Sequence, residues 1–224
     1  MNSSSLAILS CFSRISISWD TAPCEKDVIA YLSAMLSILF MKIGYSTFSE
    51  QGQRRDNQDY IQIVTDKEKQ RAVFVLCDGM GGHAMGGMAS KIVATSIARG
   101  FRLSTPMTTE DIHEIFMRAT WTLDTMSEIY GGVQMGTTMV MAFLDGDMLT
   151  VAHCGDSRCY VYSENKELKY RTEDHVKNEL IVKSFFAGYP EKAIPDVKTI
   201  KVSKGDRILL CSDGLYSNVY PDIL

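Results

Sequence analysis

The chain has 224 residues, a hydrophobic fraction of 46% and a charged fraction of 22%, an ordinary globular composition. That excludes a disordered chain, a collagen-like fibre and a coiled coil, and the length suffices to bury a core without disulfide or metal staples. With 23 basic against 27 acidic residues and a net charge of −4, no basic excess favours nucleic acid, so no nucleic-acid partner is expected.

Met1–Ser18 is Ser-rich, and Val28–Met41 is a nearly continuous apolar run. A membrane-spanning helix needs about 20 apolar residues, so no membrane span is expected. Glu25, Lys26 and Asp27 precede the run where a secretory signal would carry basic residues. The run reads as a helix over Val28–Phe40. Two accounts of residues 1–40 stand open: an extension with a docking segment, or sequence upstream of a natural start at Met41. The patterned domain covers residues 41–224. Cys11, Cys24, Cys77, Cys154, Cys159 and Cys211 form no Cys-x-x-Cys pair, which points to reduced core thiols in a cytoplasmic protein.

Beyond Met41 strand-like and helix-like periods alternate. Tyr60–Thr65 and Ala72–Cys77, rich in β-branched and aromatic residues, predict strands. Met88, Ile92, Val93 and Ile97 recur at helical spacing within Met85–Arg99. A second helix is expected with Thr109 as cap and Glu110 and Asp111 in its first turn. Its stripe is Ile112, Ile115, Phe116, Ala119, Leu123, Met126 and Tyr130, and Gly131-Gly132 ends it. Strands are then expected at Thr137–Leu144 and Met148–His153, joined through Asp145-Gly146-Asp147, and at Arg158–Tyr162. Asp196–Val202 and Arg207–Cys211 flank a turn at Ser203–Asp206. Strand runs with a pair of helices between them predict an α+β domain, antiparallel sheets with helices over one or both outer faces.

Five short segments carry polar chemistry. Asp78-Gly79-Met80-Gly81-Gly82-His83 follows an apolar strand, an arrangement that presents a carboxylate to a cleft while glycines let a ligand approach the backbone. A glycine-rich turn is the competing account, and a P-loop is excluded because no Gly-Lys-Ser/Thr follows. Leu209-Leu210-Cys211-Ser212-Asp213-Gly214 repeats the design. Two such carboxylates at one rim repel and lose solvation, so they demand a cation, and oxygen ligands select Mg²⁺ or Mn²⁺. Arg54-Arg55-Asp56-Asn57-Gln58-Asp59 offers a guanidinium suited to a phosphate, or a solvated charged turn. Gly155-Asp156-Ser157-Arg158 reads equally well as a third strand-end acid or as a plain β-turn. Thr172-Glu173-Asp174-His175 has a supporting role only.

In this order, together with Gly86, Ala89-Ser90 and Gly136-Thr137-Thr138, these segments resemble the metal-dependent protein phosphatases, the type 2C serine/threonine phosphatases, with a bacterial flavour. The resemblance runs from about Met41 to the C-terminal end. It implies an antiparallel β-sandwich flanked by helices in α-β-β-α layers, missing its last strands, with a two-metal site at one end. It further implies that Asp78 bridges two Mg²⁺ or Mn²⁺ ions, the Gly79 carbonyl binds one and Asp213 the other, and Asp156 serves a third, weaker site. Arg54 then holds the substrate phosphate, and Gln58 and Asp59 bind or orient metal-bound waters. The implied reaction is hydrolysis of phosphoserine and phosphothreonine in phosphorylated proteins by a metal-activated water, opposing a serine/threonine kinase in the cytoplasm.

The match has departures. The family's last metal aspartate lies beyond Leu224, so one ion would lack a carboxylate and a sheet would keep an unpaired edge. Ser217 stands where many members have an acid, Gln58 where many have a carboxylate, and Met80 where some have a histidine. The stretch Asp174–Pro195 is shorter than the usual flap, with Lys183-Ser184-Phe185-Phe186-Ala187-Gly188 in place of an arginine-containing run. These departures keep two other readings in view: a catalytically impaired phosphatase-like domain that binds a phosphoprotein or partner, and a hydrolase of small phosphate esters.

Overall fold

A computed structural model of the chain describes residues 4–12, 42–52, 54–66, 68–80, 85–101 and 107–218, with residues 4–12 and 42 described by their backbone alone. The elements are β1 (Ser4–Phe12), β2 (Lys42–Glu50), β3 (Asp59–Asp66), β4 (Arg71–Asp78), α1 (Gly86–Gly100), α2 (Thr109–Ile129), β5 (Gly136–Thr137) and β6 (Met139–Asp145). They continue with β7 (Met148–Cys154), β8 (Arg158–Tyr162), β9 (Leu168–Arg171), β10 (Val176–Lys177), β11 (Leu180–Ile181) and β12 (Phe185–Phe186). A 3₁₀ turn at Pro190–Lys192, β13 (Asp196–Lys201), β14 (Arg207–Cys211) and the short α3 (Asp213–Tyr216) complete the described chain.

Two five-stranded antiparallel sheets, in the orders β13-β7-β6-β4-β3 and β2-β1-β14-β8-β9, form the body. Side chains of a strand alternate faces, and this alternation divides the core in two. Val73, Val75 and Cys77 of β4, with Met141 and Phe143 of β6, meet Val93, Ala94 and Ile97 of α1 and Phe116, Ala119 and Leu123 of α2. Ala72, Phe74 and Leu76, with Val140, Ala142 and Leu144, face the other sheet at Cys159, Val161, Ile208 and Leu210. Strands covered on both faces have no polar side to show, which is why β4 and β6 read as unbroken apolar runs. The α+β sandwich is the architecture expected, with α1 and α2 stacked on one outer face.

Particular expectations needed correction. The cap of α2 is Thr108: its Oγ1 accepts from the Asp111 amide at 3.2 Å, while Asp111 Oδ2 accepts from the Thr108 amide at 2.7 Å. Either adjacent threonine suits a cap, but only Thr108 has a carboxylate three residues on to close the reciprocal pair. The expected strand Thr137–Leu144 breaks at Thr138, because β5 pairs with β12 while β6 lies between β4 and β7. Ser4–Phe12, read only as Ser-rich sequence, is a strand of the sandwich. It runs between β2 and β14, so β14 is paired on both sides. The helix expected over Val28–Phe40 lies outside the described residues. Among the described residues no helix is long and apolar enough to cross a membrane.

Register places the chemistry. β3 begins at Asp59 opposite the end of β4 at Asp78, β7 ends at Cys154 opposite the start of β6, and β14 ends at Cys211 opposite the start of β8. Every strand that leads into a sequence-predicted acid therefore opens at one end of the sandwich. Phe74, fully buried between the sheets and in edge contact with Tyr45 of β2 at 5.5 Å, is a test of this layer. Phe74→Ala is expected to lower unfolding stability by about 3–5 kcal/mol, measured by urea denaturation with unchanged m-value.

Candidate metal and phosphate site

Three strand ends and one loop supply the site. Asp78 is the last residue of β4, and Gly79 after it closes on two other segments. A Cβ at Gly79 would lie 2.5 Å from the Gly86 carbonyl carbon and 2.8 Å from Gln58 Cβ, so no larger residue fits where these segments meet. The Gly79 amide donates to the Gln58 carbonyl at 3.1 Å, which ties the arginine-bearing loop to the end of β4. Asp156 follows Gly155, whose φ of +119° and contact with Thr138 also favour glycine. Asp213 is the first residue of α3, directly after β14.

A cavity of about 370 Å³ opens here, and Arg54, Gln58, Asp78, Gly79, Asp156 and Asp213 all line it. Arg55 and Asp56 lie on the same wall as Arg54, and Met80, Thr138 and Ile181 complete the lining. Asp59, to which the resemblance gives a role at the metal-bound waters, is not on the wall. It stands across from Asp78 in the β3–β4 register, and its Oδ2 accepts from Ser212 Oγ at 2.9 Å.

The electrostatics are those of crowded acids. Burial holds the Asp78 carboxyl well above the usual carboxylate range, and Asp59, then Asp213, then Asp156 push it further. Burial likewise pushes Asp156 up to about 6, with Asp213 as the next cause. Carboxylates that crowd Asp78 and Asp156 in this way lack positive charge at their centre, and a divalent cation supplies it. Gln58 Oε1 is a buried acceptor with no hydrogen-bond partner among the described residues, a further oxygen for an ion or its water. Among the described residues no three His, Cys, Asp or Glu side chains enclose an ion by themselves. Carboxylates, a main-chain carbonyl and an amide oxygen are hard donors, which suit Mg²⁺ or Mn²⁺ rather than zinc.

Residues given little or no weight in the sequence hold this arrangement. Thr137 Oγ1 and the Thr138 amide donate to the Asp78 carbonyl at 2.8 and 2.9 Å, and Thr138 Oγ1 lies 2.7 Å from Ser157 Oγ. Arg158 donates through Nε and Nη2 to both oxygens of Asp174, at 2.8 and 2.7 Å, and its guanidinium carbon sits 3.5 Å over the Tyr216 ring. Tyr216 in turn donates to the Asp156 carbonyl at 3.1 Å. The Asp156 loop, the Asp174 loop and the helix bearing Asp213 are thus clamped together through one arginine. The supporting role given to Thr172–His175 is more specific than expected. His175 Nδ1 accepts from the Gly155 amide at 3.2 Å, and its ring stacks on His153 at 4.4 Å. Tyr216 and Ser212 left no local signal, because their partners lie far away in the chain.

The Asp174–Pro195 stretch roofs one side. Phe185 is fully buried with its ring 6.5 Å from Phe116 of α2, the Gly188 amide donates to Asp124 at 2.8 Å, and Ile181 reaches the cavity. This short flap is anchored through aromatic packing on α2.

With this geometry in hand, comparison with known proteins is specific. The description of protein phosphatase 2C matches residues 49–222. The chain is 30% identical over 198 residues to a serine/threonine phosphatase, stp, of Listeria innocua, with 75% of each chain covered. It is 31% identical over 196 residues to the protein phosphatase PhpP of Streptococcus pneumoniae, covering 76% of this chain and 78% of that one. The serine/threonine phosphatase Stp1 of Staphylococcus aureus superposes with a TM-score of 0.64 at 26% identity, over 79% of this chain and 78% of that one. The catalytic domain of the phosphatase PstP, solved with two manganese ions, gives 0.61 at 26% identity over 76% of each. Two strand-end acids, each followed by glycine, at one rim, an arginine loop beside them and a matched span of this length have one common source: the chain belongs to the protein phosphatase 2C family.

Proposed function

We propose that the chain is a Mg²⁺/Mn²⁺-dependent protein serine/threonine phosphatase whose reaction centre is the Asp78–Asp156–Asp213 cavity. The observation that carries the residue assignment is that Asp78, Asp156 and Asp213 line one cavity with Arg54, while Asp59 stands across from Asp78 in the β3–β4 register. Asp78, the Gly79 carbonyl and Asp213 would hold the ions, and Asp156 would serve a third, weaker site. Gln58 and Asp59 hold and orient water around the ions. When bound, the ions supply the acidity that turns water into a nucleophile at neutral pH, and positive charge for the phosphoryl oxygens.

The chain's own residues do the rest. Arg54, exposed on the cavity wall, offers a bidentate fork to two phosphoryl oxygens and sets the phosphorus in line with the attacking water. Met80 follows Gly79 on the wall and carries no proton to give, so water or another group must protonate the departing serine or threonine oxygen. Substrates are phosphorylated proteins, and the enzyme opposes a serine/threonine kinase in the cytoplasm. Arg54, Arg55 and Ile181 all line the cavity.

Hydrolysis of a phosphothreonine peptide is expected with Mn²⁺ and is abolished by chelator. Asp78→Ala and Asp213→Ala should each lose it, and Arg54→Ala should lower kcat/KM by roughly 10²–10³. Micromolar phosphopeptide binding without turnover in the unaltered chain would overturn the assignment. The pH dependence has a definite sign. Asp156 holds a proton up to about 6 in the ion-free protein, and burial and neighbouring acids raise Asp78 as well, so a cation competes with protons at both. Apparent Mn²⁺ affinity should fall as pH drops through about 6, and titration calorimetry in two buffers of different ionisation enthalpy should read proton release on binding. Arg158→Ala should weaken Mn²⁺ binding roughly 10-fold or more and cost about 2 kcal/mol of stability, since it leaves the part-buried Asp174 unpaired. Arg158→Lys should restore neither, because an ammonium cannot reproduce the two-pronged bond or the ring stacking.

A further inference from the structure

The strand β1 occupies an unusual place. Ser4–Phe12 pairs along the whole of Lys42–Glu50 on one side, and Leu6–Ser10 pairs with Cys211–Arg207 on the other. Among the described residues it is the one strand that β2 pairs with, so β2 joins the sheet through β1. β2 leads into the loop bearing Arg54 and Gln58, β14 leads into Asp213, and β1 also packs on α3. The two chain segments that bring Arg54 and Asp213 to the cavity are therefore joined across β1.

Covalent proximity does not explain the pairing of β1 with β2. Residues 13–41 intervene, a length of chain that can reach up to about 100 Å, whereas paired strands lie about 4.8 Å apart. Ladder hydrogen bonds hold the strand on both sides. Ser4–Phe12 has no charge and no proline, as a strand paired on both sides requires. The protein phosphatase 2C match begins at residue 49, so β1 lies outside it.

We propose that the groove between β2 and β14 is a strand-acceptor site whose occupant is this chain's own Ser4–Phe12, and that seating this strand joins the Arg54 and Asp213 segments into one cavity. The second clause rests on the phosphatase reading; the first does not, and amide exchange reads it independently of activity.

The test uses the full chain with a specific protease site placed within residues 13–41, cut after folding. The N-terminal fragment is expected to co-elute with the body, the β2 amides to stay protected from exchange, and Mn²⁺-dependent hydrolysis to persist. Releasing the fragment in mild denaturant should lower β2 protection at least tenfold, and a synthetic peptide of residues 1–12 should restore both protection and hydrolysis. In the uncut chain Ile8→Pro, which removes a ladder donor, should lower β2 protection at least tenfold while β6 and β7 in the other sheet keep theirs; Ile8→Val should change neither. If Ile8→Pro does not fold, the cut chain decides. A fragment that separates on gel filtration while β2 protection is unchanged, or wild-type protection in Ile8→Pro, overturns the proposal. Stable transfer of a labelled fragment to a second copy as a dimer overturns its assignment to the same chain. A seated, protected strand without hydrolysis upholds the acceptor site and counts against the phosphatase reading.

Discussion

Mutual repulsion among acids is the constraint around which the molecule is arranged. Asp59, Asp78, Asp156 and Asp213 are far apart in the chain and meet at one end of the sandwich, where burial and one another's charge push Asp78 well above its ordinary range. No apolar core would choose such a cluster for stability, since each charge loses water and meets like charge. The cluster makes sense with cations at its centre, and oxygen ligands with an open cavity favour hard ions that keep water in reach of a phosphate.

Holding the acids against their repulsion is the work of neutral and cationic groups behind them. The Asp78 main chain is gripped by Thr137 and Thr138, Asp59 by Ser212, and the Asp156 loop by Tyr216 and His175. Arg158 links the last of these to Asp174 and to the ring of Tyr216. The sheets contribute through register: antiparallel pairing alternates strand starts and ends, and here every acid-bearing start or end falls at one rim. Phosphatase membership, supported by a match over residues 49–222 and by relatives at 30–31% identity, agrees with a site built this way. In the flap, Phe185 is seated on α2 where the resemblance led one to expect an arginine-containing run.

Much of this was legible in advance because the signals are local. An apolar strand running into Asp-Gly marks Asp78 and Asp213 whatever lies elsewhere, and a stripe of period 3.6 marks α2. The turn at Gly146 and the strands at Arg158–Tyr162 and Arg207–Cys211 appear where their composition placed them. The cap of α2 was one residue off because two threonines stand side by side, and only the reciprocal bond to Asp111 separates them.

What the amino-acid order determined alone is therefore the kind of elements, the alternation that makes a two-faced strand, and the acid-glycine corners that suit a cation. What the tertiary structure decided is who stands beside whom. Asp59 behind Asp78, Ser212 reaching Asp59, Arg158 clamped between Asp174 and Tyr216, and β1 lying between β2 and β14 all join residues remote in sequence. Such pairings carry no periodicity and no fixed spacing. They follow from which apolar faces are buried together, and that is settled only when the whole chain packs.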